Sequence, residues 1–282
     1  MTLSAQQLDA WNRDGFLAIE GFYTDEQCVG LRERALQLVD DFDPRESPSV
    51  FSTTDKSHAQ DHYFLTSGDK IRFFLEEGVT DDAGDLTVPK HESVNKLGHA
   101  MHDLDPVFDT FSRTDKLAGV VHDLGFTDPQ LLQSMYILKP PRVGGEVVWH
   151  TDHTFLWTEP QSVVGFWVAI DDATVDNGCM WAVPGGHTLP VKSRFRREGA
   201  GTTDDIFDAT EYDTSERVPL EAPRGTLIAL HGSLPHWSGP NTSEHPRHAY
   251  TVHIIEGQAE YLADNWLQRS ADLPLRGFDA RV

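Results

Sequence analysis

From residue 131 onward the chain carries a series of short β-rich runs, and this pattern constrains its fold more than any other feature. The runs cover 131–138, 146–155, 163–170, 179–183, 217–221, 226–230 and 247–256, separated by Gly, Pro, Asn and Asp. Short strands with turn signals and few helices between them predict a β-sandwich or barrel. The run 163–170 is apolar on both faces, so it is expected as an inner strand covered on its outer side. The first 130 residues can supply that cover. Ser4 with Gln7 and Thr24 with Gln27 fit the capping-box pattern. Leu8 and Trp11 follow the first box, with Gly15 as a stop. Cys28, Leu31, Ala35, Leu38 and Val39 fall at helical spacing after the second. Asp105-Pro106 opens a further helix, with Gly125 just past its end. Residues 40–62 read as a loop, and 67–75 begin an ordered segment. Residues 81–85 read as a tight turn that lacks the carboxylate spacing and closing Glu of a calcium loop. No repeat or linker divides the chain. The expectation is one domain over 1–282: a mostly helical cover at 1–130, a β core at 131–256 and an extension at 257–282.

Charge excludes one class of partner. The net charge of −22 leaves no basic face for a phosphate backbone, so no nucleic-acid partner is expected. Either a salt-rich cytoplasm or simply an acidic composition would account for that balance. No apolar run approaches the roughly 18 residues that span a bilayer. The N-terminus lacks a signal-peptide pattern and residues 279–282 form no peroxisomal or retention address. Two cysteines, Cys28 and Cys179, form neither a disulfide framework nor a zinc pattern. A cytoplasmic protein without a membrane partner is expected, as a monomer or homodimer.

The chemistry points to Trp149-His150-Thr151-Asp152-His153 and to a distant Pro235-His236-Trp237. On a strand, His150 and Asp152 would share one face while His153 takes the other. Two imidazoles and one carboxylate with open positions suit non-haem Fe(II) and oxygen chemistry. With 14 histidines present, a hydrogen-bonded structural role is the competing reading for each. A carboxylate on an inward face, however, is costly unless it is paired or metal-bound. Arg247 lies eleven residues beyond His236 at the start of the last strand, and a hairpin of that length can set the two side by side. An inward Arg needs an anion, and its fork suits a carboxylate. A dicarboxylic keto acid would chelate iron at one end and meet Arg247 at the other.

The chain also resembles the phytanoyl-CoA dioxygenase family of Fe(II)/2-oxoglutarate-dependent oxygenases, most closely its domain-containing subgroup. The matching stretches include D-G-F-L-A-I-E-G-F at 14–22, Y-F-L-T-S-G-D-K-I-R-F-F at 63–74, N-K-L-G-H-A-M-H at 95–102 and Q-S-M-Y-I-L-K at 133–139. G-G-E-V-V-W-H-T-D at 144–152, F-W-V-A-I-D-D-A-T at 166–174, N-G-C-M-W-A-V-P-G-G-H-T at 177–188 and the segment 231–256 continue it over nearly the whole chain. The resemblance implies a mainly β fold with flanking α-helices, built on a double-stranded β-helix (a cupin-like jelly roll). It implies iron ligands His150, Asp152 and His236, with Arg247 holding the far carboxylate of 2-oxoglutarate. By the same resemblance Lys96, Met135, Trp167 and Ser238 would line the 2-oxoglutarate pocket. Read from the residues alone, Met135 and Trp167 could equally be core and Lys96 a solvated charge.

The activity so implied is hydroxylation of a small molecule with formation of succinate and carbon dioxide. Fe(II), 2-oxoglutarate and O2 would be required, with ascorbate as an accessory reductant. Related halogenases lack the carboxylate ligand, so Asp152 points to hydroxylation. One departure is Gly186, where the family usually has Ser. The basic group Lys192, Arg194, Arg196 and Arg197 would favour an anionic substrate if it overhung the site; the competing reading is a loop paired with the acidic surface. Two other classes stand beside the oxygenase: a non-catalytic sensor of metal or 2-oxoglutarate on the same fold, and a zinc hydrolase. The hydrolase would need a water-activating base and has no use for Arg247.

Overall fold

Local signals build the N-terminal half as far as helix boundaries go. In the computed structural model, which describes residues 2–46, 49–50 and 62–278, α1 (Ala5–Asp14) starts at the Ser4/Gln7 capping box. It ends at Gly15, whose φ of 78° is a left-handed cap. Strand β1 (Phe16–Ile19) follows, then α2 (Asp25–Asp41) from the Thr24/Gln27 box, burying Cys28, Leu31, Ala35 and Val39. Most of the expected loop at 40–62 and the C-terminal residues 279–282 lie outside the described residues. Next come α3 (His62–Leu65), β2 (Ile71–Leu75), α4 (Lys90–Ser93), β3 (Val94–His99) and α5 (Met101–Leu104). The turn at 81–85 forms as expected, with Asp81 Oδ1 accepting from the Ala83 and Asp85 amides.

One expectation for this half needs correction. The helix read from Asp105 to Gly125 is two helices, α6 (Pro106–Ser112) and α7 (Asp115–Asp123). Ser112 Oγ donates back to the Phe108 carbonyl at 2.6 Å, and Thr114 accepts from Leu117 N to start a new helix. Beside its helices, this half contributes β1, β2 and β3 to the main sheet.

The second half supplies the remaining elements. They are β4 (Pro129–Ile137), β5 (Val147–His150), α8 (Asp152–Phe155), β6 (Thr158–Glu159), β7 (Val164–Ala169) and β8 (Met180–Ala182). After these come β9 (Ser193–Glu198), β10 (Gly201–Ile206), β11 (Val218–Leu220), β12 (Leu227–His231), β13 (His236–Ser238), β14 (Ala249–Glu256) and β15 (Glu260–Tyr261). A seven-stranded sheet runs β1-β12-β7-β14-β4-β3-β2 and a four-stranded sheet runs β11-β8-β13-β5. Their strand pairs are antiparallel, and together they form the expected jelly roll.

Strand β7 is the inner strand its sequence predicts. Val164, Phe166 and Val168 face outward into a core shared with Leu31, Phe108, Phe111 and Val120 of the helices. Trp167 and Ala169 face inward, against Met180, Ala182, Ile228 and Ala249. Burial of side chains the size of Phe166 or Val168 contributes about 1.5–3 kcal/mol each. The C-terminal extension packs back on the barrel: Trp266 stacks on Phe64 at 4.2 Å, and Arg269 and Arg276 both reach buried Asp103. Among the described residues no helix is long and apolar enough to cross a membrane.

Lys192 directly precedes a strand, β9, that carries Arg194, Arg196 and Arg197, so most of this basic group is not on a loop. The strand forms the β9–β10 hairpin, and the cations of the group are paired within the protein. Arg196 bonds Asp205 at 2.6 Å, Lys192 bonds Asp208 at 2.7 Å and Arg194 bonds Asp264. Arg197 donates to the Trp266 carbonyl at 2.8 Å and to the Leu65 carbonyl. The group therefore follows the competing reading and is held by internal partners.

Candidate active site

His150 ends β5 and His236 begins β13, and the two are Cα partners across the ladder. Partners in register share a face, and the two rings lie 4.2 Å apart. Asp152 arrives differently. The strand expected to run to residue 155 stops at His150, and Asp152 is the first residue of the single turn α8. A turn of the chain, and not strand alternation, brings its carboxylate to the histidines. The three side chains still offer donor atoms within 4.8 Å of one another.

The local hydrogen bonds fix which nitrogens are free. His150 Nδ1 lies 2.8 Å from the Val148 carbonyl, and His236 Nδ1 lies 3.0 Å from the Leu234 carbonyl. A carbonyl only accepts, so each Nδ1 carries the proton and each Nε2 keeps a lone pair. Burial, reinforced by His236, pushes the His150 imidazolium down to about 3, so the ring is neutral at pH 7. Burial by itself raises the Asp152 carboxyl, but His253, His236 and His150 outweigh it and hold it well below the usual range. Asp152 Oδ2 is buried without a hydrogen-bond partner among the described residues. Two imidazoles that turn Nε2 toward an ionised, incompletely bonded carboxylate form a donor set that fits a divalent metal. His153 is excluded: its Nδ1 meets Ser233 Oγ at 2.8 Å and its Nε2 accepts from Val163 N at 2.9 Å.

Arg247 supplies the complementary charge. It is 2% exposed, and its Nε and Nη1 have no partner among the described residues. Nη2 lies 3.4 Å from Ser238 Oγ, and the guanidinium sits 5.3 Å from the Trp167 ring centre. Burial lowers its pKa only to about 10, so it remains charged at pH 7. The expected hairpin from His236 to Arg247 is not a hydrogen-bonded one. β13 pairs with β5 and β8, whereas β14 pairs with β4 and β7, so the two residues approach from opposite sheets.

A cavity of about 100 Å³ joins them. His150, Asp152, His236, Arg247, Met135, Trp167 and Ser238 all line it, so seven of the eight expected residues converge. Lys96 does not line it. It is buried on β3, opposite the wall residue Ile137, with its ammonium near the Phe74 ring and the charge of Glu76. Burial brings its pKa down to about 7. Thr251, His253 and Gly165 also line the wall but were not singled out by sequence. Alternation from Arg247 along the last strand was the available signal for Thr251 and His253. Lys139, buried behind Arg247 with Nζ donating to the Gly145 carbonyl at 2.7 Å, gave no signal. At Gly186 a Cβ would lie 2.8 Å from Pro235 Cδ, so glycine there accommodates the proline before His236.

The family model for phytanoyl-CoA dioxygenase (PhyH) matches residues 11–249. The chain is 43% identical over 272 residues to a phytanoyl-CoA dioxygenase of Arabidopsis thaliana, covering 95% of each chain. It is likewise 43% identical over 285 residues to phytanoyl-CoA dioxygenase domain-containing protein 1 of Rattus norvegicus, covering 96% of this chain and 97% of the relative. Among solved structures, EctD from S. alaskensis with 2-oxoglutarate and 5-hydroxyectoine shares the fold at a TM-score of 0.62 and 20% identity, over 90% of this chain and 77% of that one. The epimerase SnoN, in complex with Fe3+, alpha ketoglutarate and nogalamycin RO, shares it at 0.64 and 15% identity, over 96% and 97%. The chain thus belongs to the phytanoyl-CoA dioxygenase family and is an Fe(II)/2-oxoglutarate-dependent oxygenase.

Proposed function

We propose that this oxygenase hydroxylates a small molecule, with His150, Asp152 and His236 as the iron ligands and Arg247 as the anchor for 2-oxoglutarate. One observation carries the reading: a buried guanidinium with two unpartnered nitrogens shares a cavity with an incompletely bonded carboxylate and two imidazoles. When bound, Fe(II) with O2 supplies the oxidative decarboxylation of 2-oxoglutarate to succinate and carbon dioxide, and the oxidising power delivered to substrate.

The chain's own residues do the positioning. The Arg247 guanidinium presents its planar fork to the far carboxylate, while Ser238 Oγ, which donates to the Gly178 carbonyl, accepts from Nη2 and steadies the group. Trp167 backs the guanidinium and keeps water from it. Met135 completes the pocket wall, and the buried charge of Lys96 lies one strand away. Asp152 fills the ligand place that halogenases leave to halide, which favours a hydroxylated product.

The substrate is not named by these residues. Relatives carry phytanoyl-CoA in their name, but the basic side chains of Lys192, Arg194 and Arg196 are internally paired and add no support for an anionic substrate. The sensor alternative predicts 2-oxoglutarate binding without turnover. Incubation with Fe(II), 2-oxoglutarate and ascorbate, with and without candidate substrates, separates the two. The proposal expects oxygen-dependent succinate that disappears in His150→Ala. Binding of 2-oxoglutarate with no succinate under any candidate substrate would favour the sensor.

A further inference from the structure

Asp152 reaches the cavity from a single helical turn, so the ladder that aligns His150 with His236 does nothing to orient its carboxylate. The adjacent hydroxyls of Thr151 and Thr154 bond each other. Two residues of the large sheet stand against the carboxylate instead. Gly165 on β7 and His253 on β14 are partners in register and face the same side. His253 Nε2 lies 3.3 Å from Asp152 Oδ1, at the long end of hydrogen-bond range. A Cβ on Gly165 would come within 2.7 Å of Asp152 Oδ2 and 3.4 Å of His253 Nε2. Both flanks of the carboxylate are therefore set by the sheet.

The imidazole's own hydrogen bonding narrows its role. A carboxylate only accepts, so His253 meets Asp152 as an Nε2–H donor. Its Nδ1 is buried without a partner among the described residues. Among the described residues, Asp152 is the polar partner this ring meets. His253 also falls outside the donor group of His150, Asp152 and His236, so it does not act as a fourth ligand in this arrangement.

We propose that His253 is a positioning residue that donates Nε2–H to Asp152 and, with the space left at Gly165, fixes the carboxylate toward the two histidines. The inference rests on Asp152 being an iron ligand. Hydrogen-bond partners of metal ligands typically change metal affinity by about 10–100-fold when removed.

The test is anaerobic titration of metal-free protein with Fe(II) against a chromophoric chelator, without 2-oxoglutarate. His253→Leu should bind about 10–100-fold more weakly, while His253→Gln, whose amide nitrogen can reach the Nε2 position, should stay within about 3-fold of wild type. The visible spectrum of the Co(II) form should change for Leu and be restored for Gln. Thermal melting of the metal-free variants reports folding. Should Leu not fold, His253→Asn serves, since its amide is one carbon too short to reach and it should lose affinity similarly. Wild-type affinity in the Leu or Asn variant, or a loss in Gln as large as in Leu, overturns the role of His253. Asp152→Ala separates the two levels. If it binds Fe(II) like wild type, the ligand reading itself fails; if it loses binding while His253→Leu does not, only the positioning role fails.

Discussion

Gly165→Ala perturbs the site from within the rigid sheet. An added Cβ would sit 2.7 Å from Asp152 Oδ2, against the 3.4 Å at which ordinary contact begins. Strand β7 cannot retreat, because β12 and β14 flank it on both sides. The carboxylate must therefore move by about 0.7 Å, or turn away, to relieve the overlap. Overpacking of this kind costs about 1–3 kcal/mol, partly offset by the roughly 0.5–1 kcal/mol that Ala gains over Gly in a strand. Global stability should change by no more than about 2 kcal/mol. The effect on the site should be larger, since displacement of about 1 Å commonly costs about 100-fold in rate. Succinate formation at saturating 2-oxoglutarate and anaerobic Fe(II) titration measure the effect, and thermal melting measures stability. Retention of both iron affinity and turnover within about 2-fold of wild type would refute the claim that the sheet holds Asp152 in place.

Other outcomes follow from the same geometry. Arg247→Met removes a buried charge with two unpartnered nitrogens, so the ligand-free protein should melt at the same or a higher temperature, by up to about 1–4 kcal/mol, and lose its thermal shift with 2-oxoglutarate. A clear loss of ligand-free stability would contradict this. Lys96 and Lys139 both have pKa values near 7 in the folded protein against 10.5 when free. Between those values the unfolded chain binds more protons, so the cost of burying the charged lysines is full below pH 7 and stability rises as pH increases above it. Urea midpoints from pH 6.5 to 9.5 should therefore climb, with a flatter profile in Lys96→Met and Lys139→Met. In the β9–β10 hairpin, Arg197→Ala should cost about 1–3 kcal/mol because it strands two carbonyls, whereas Arg196→Ala should cost less because water can replace its pairing with Asp205. Equal losses in denaturant melts would contradict that ranking.

Much of the architecture was legible because its signals are local. The capping boxes at Ser4 and Thr24 operate within four residues, and the doubly apolar β7 announces its own burial. The β9–β10 hairpin went unread because it is polar along both strands; charge pairs such as Arg196 with Asp205 hold it without an apolar alternation. The division between α6 and α7 depends on hydroxyl hydrogen bonds at Ser112 and Thr114 that the apolar spacing does not register. At the site, His150, Asp152, His236 and Arg247 were identifiable as a set of residue types that only one kind of chemistry explains together. The alternation used to unite His150 with Asp152 was wrong in mechanism, since the strand ends between them. Gly165 and Lys139 stayed invisible because their roles are defined by atoms far away in the chain.

The central claim is that one cavity holds iron on His150, Asp152 and His236 and a dicarboxylate on Arg247. Anaerobic crystals soaked with Fe(II) and 2-oxoglutarate, with anomalous data collected at the iron edge, test it directly. The account predicts a single strong peak bounded by His150 Nε2, His236 Nε2 and the Asp152 carboxylate, with the far carboxylate of 2-oxoglutarate on the Arg247 guanidinium. An iron peak on other side chains, or 2-oxoglutarate bound away from Arg247, would contradict it.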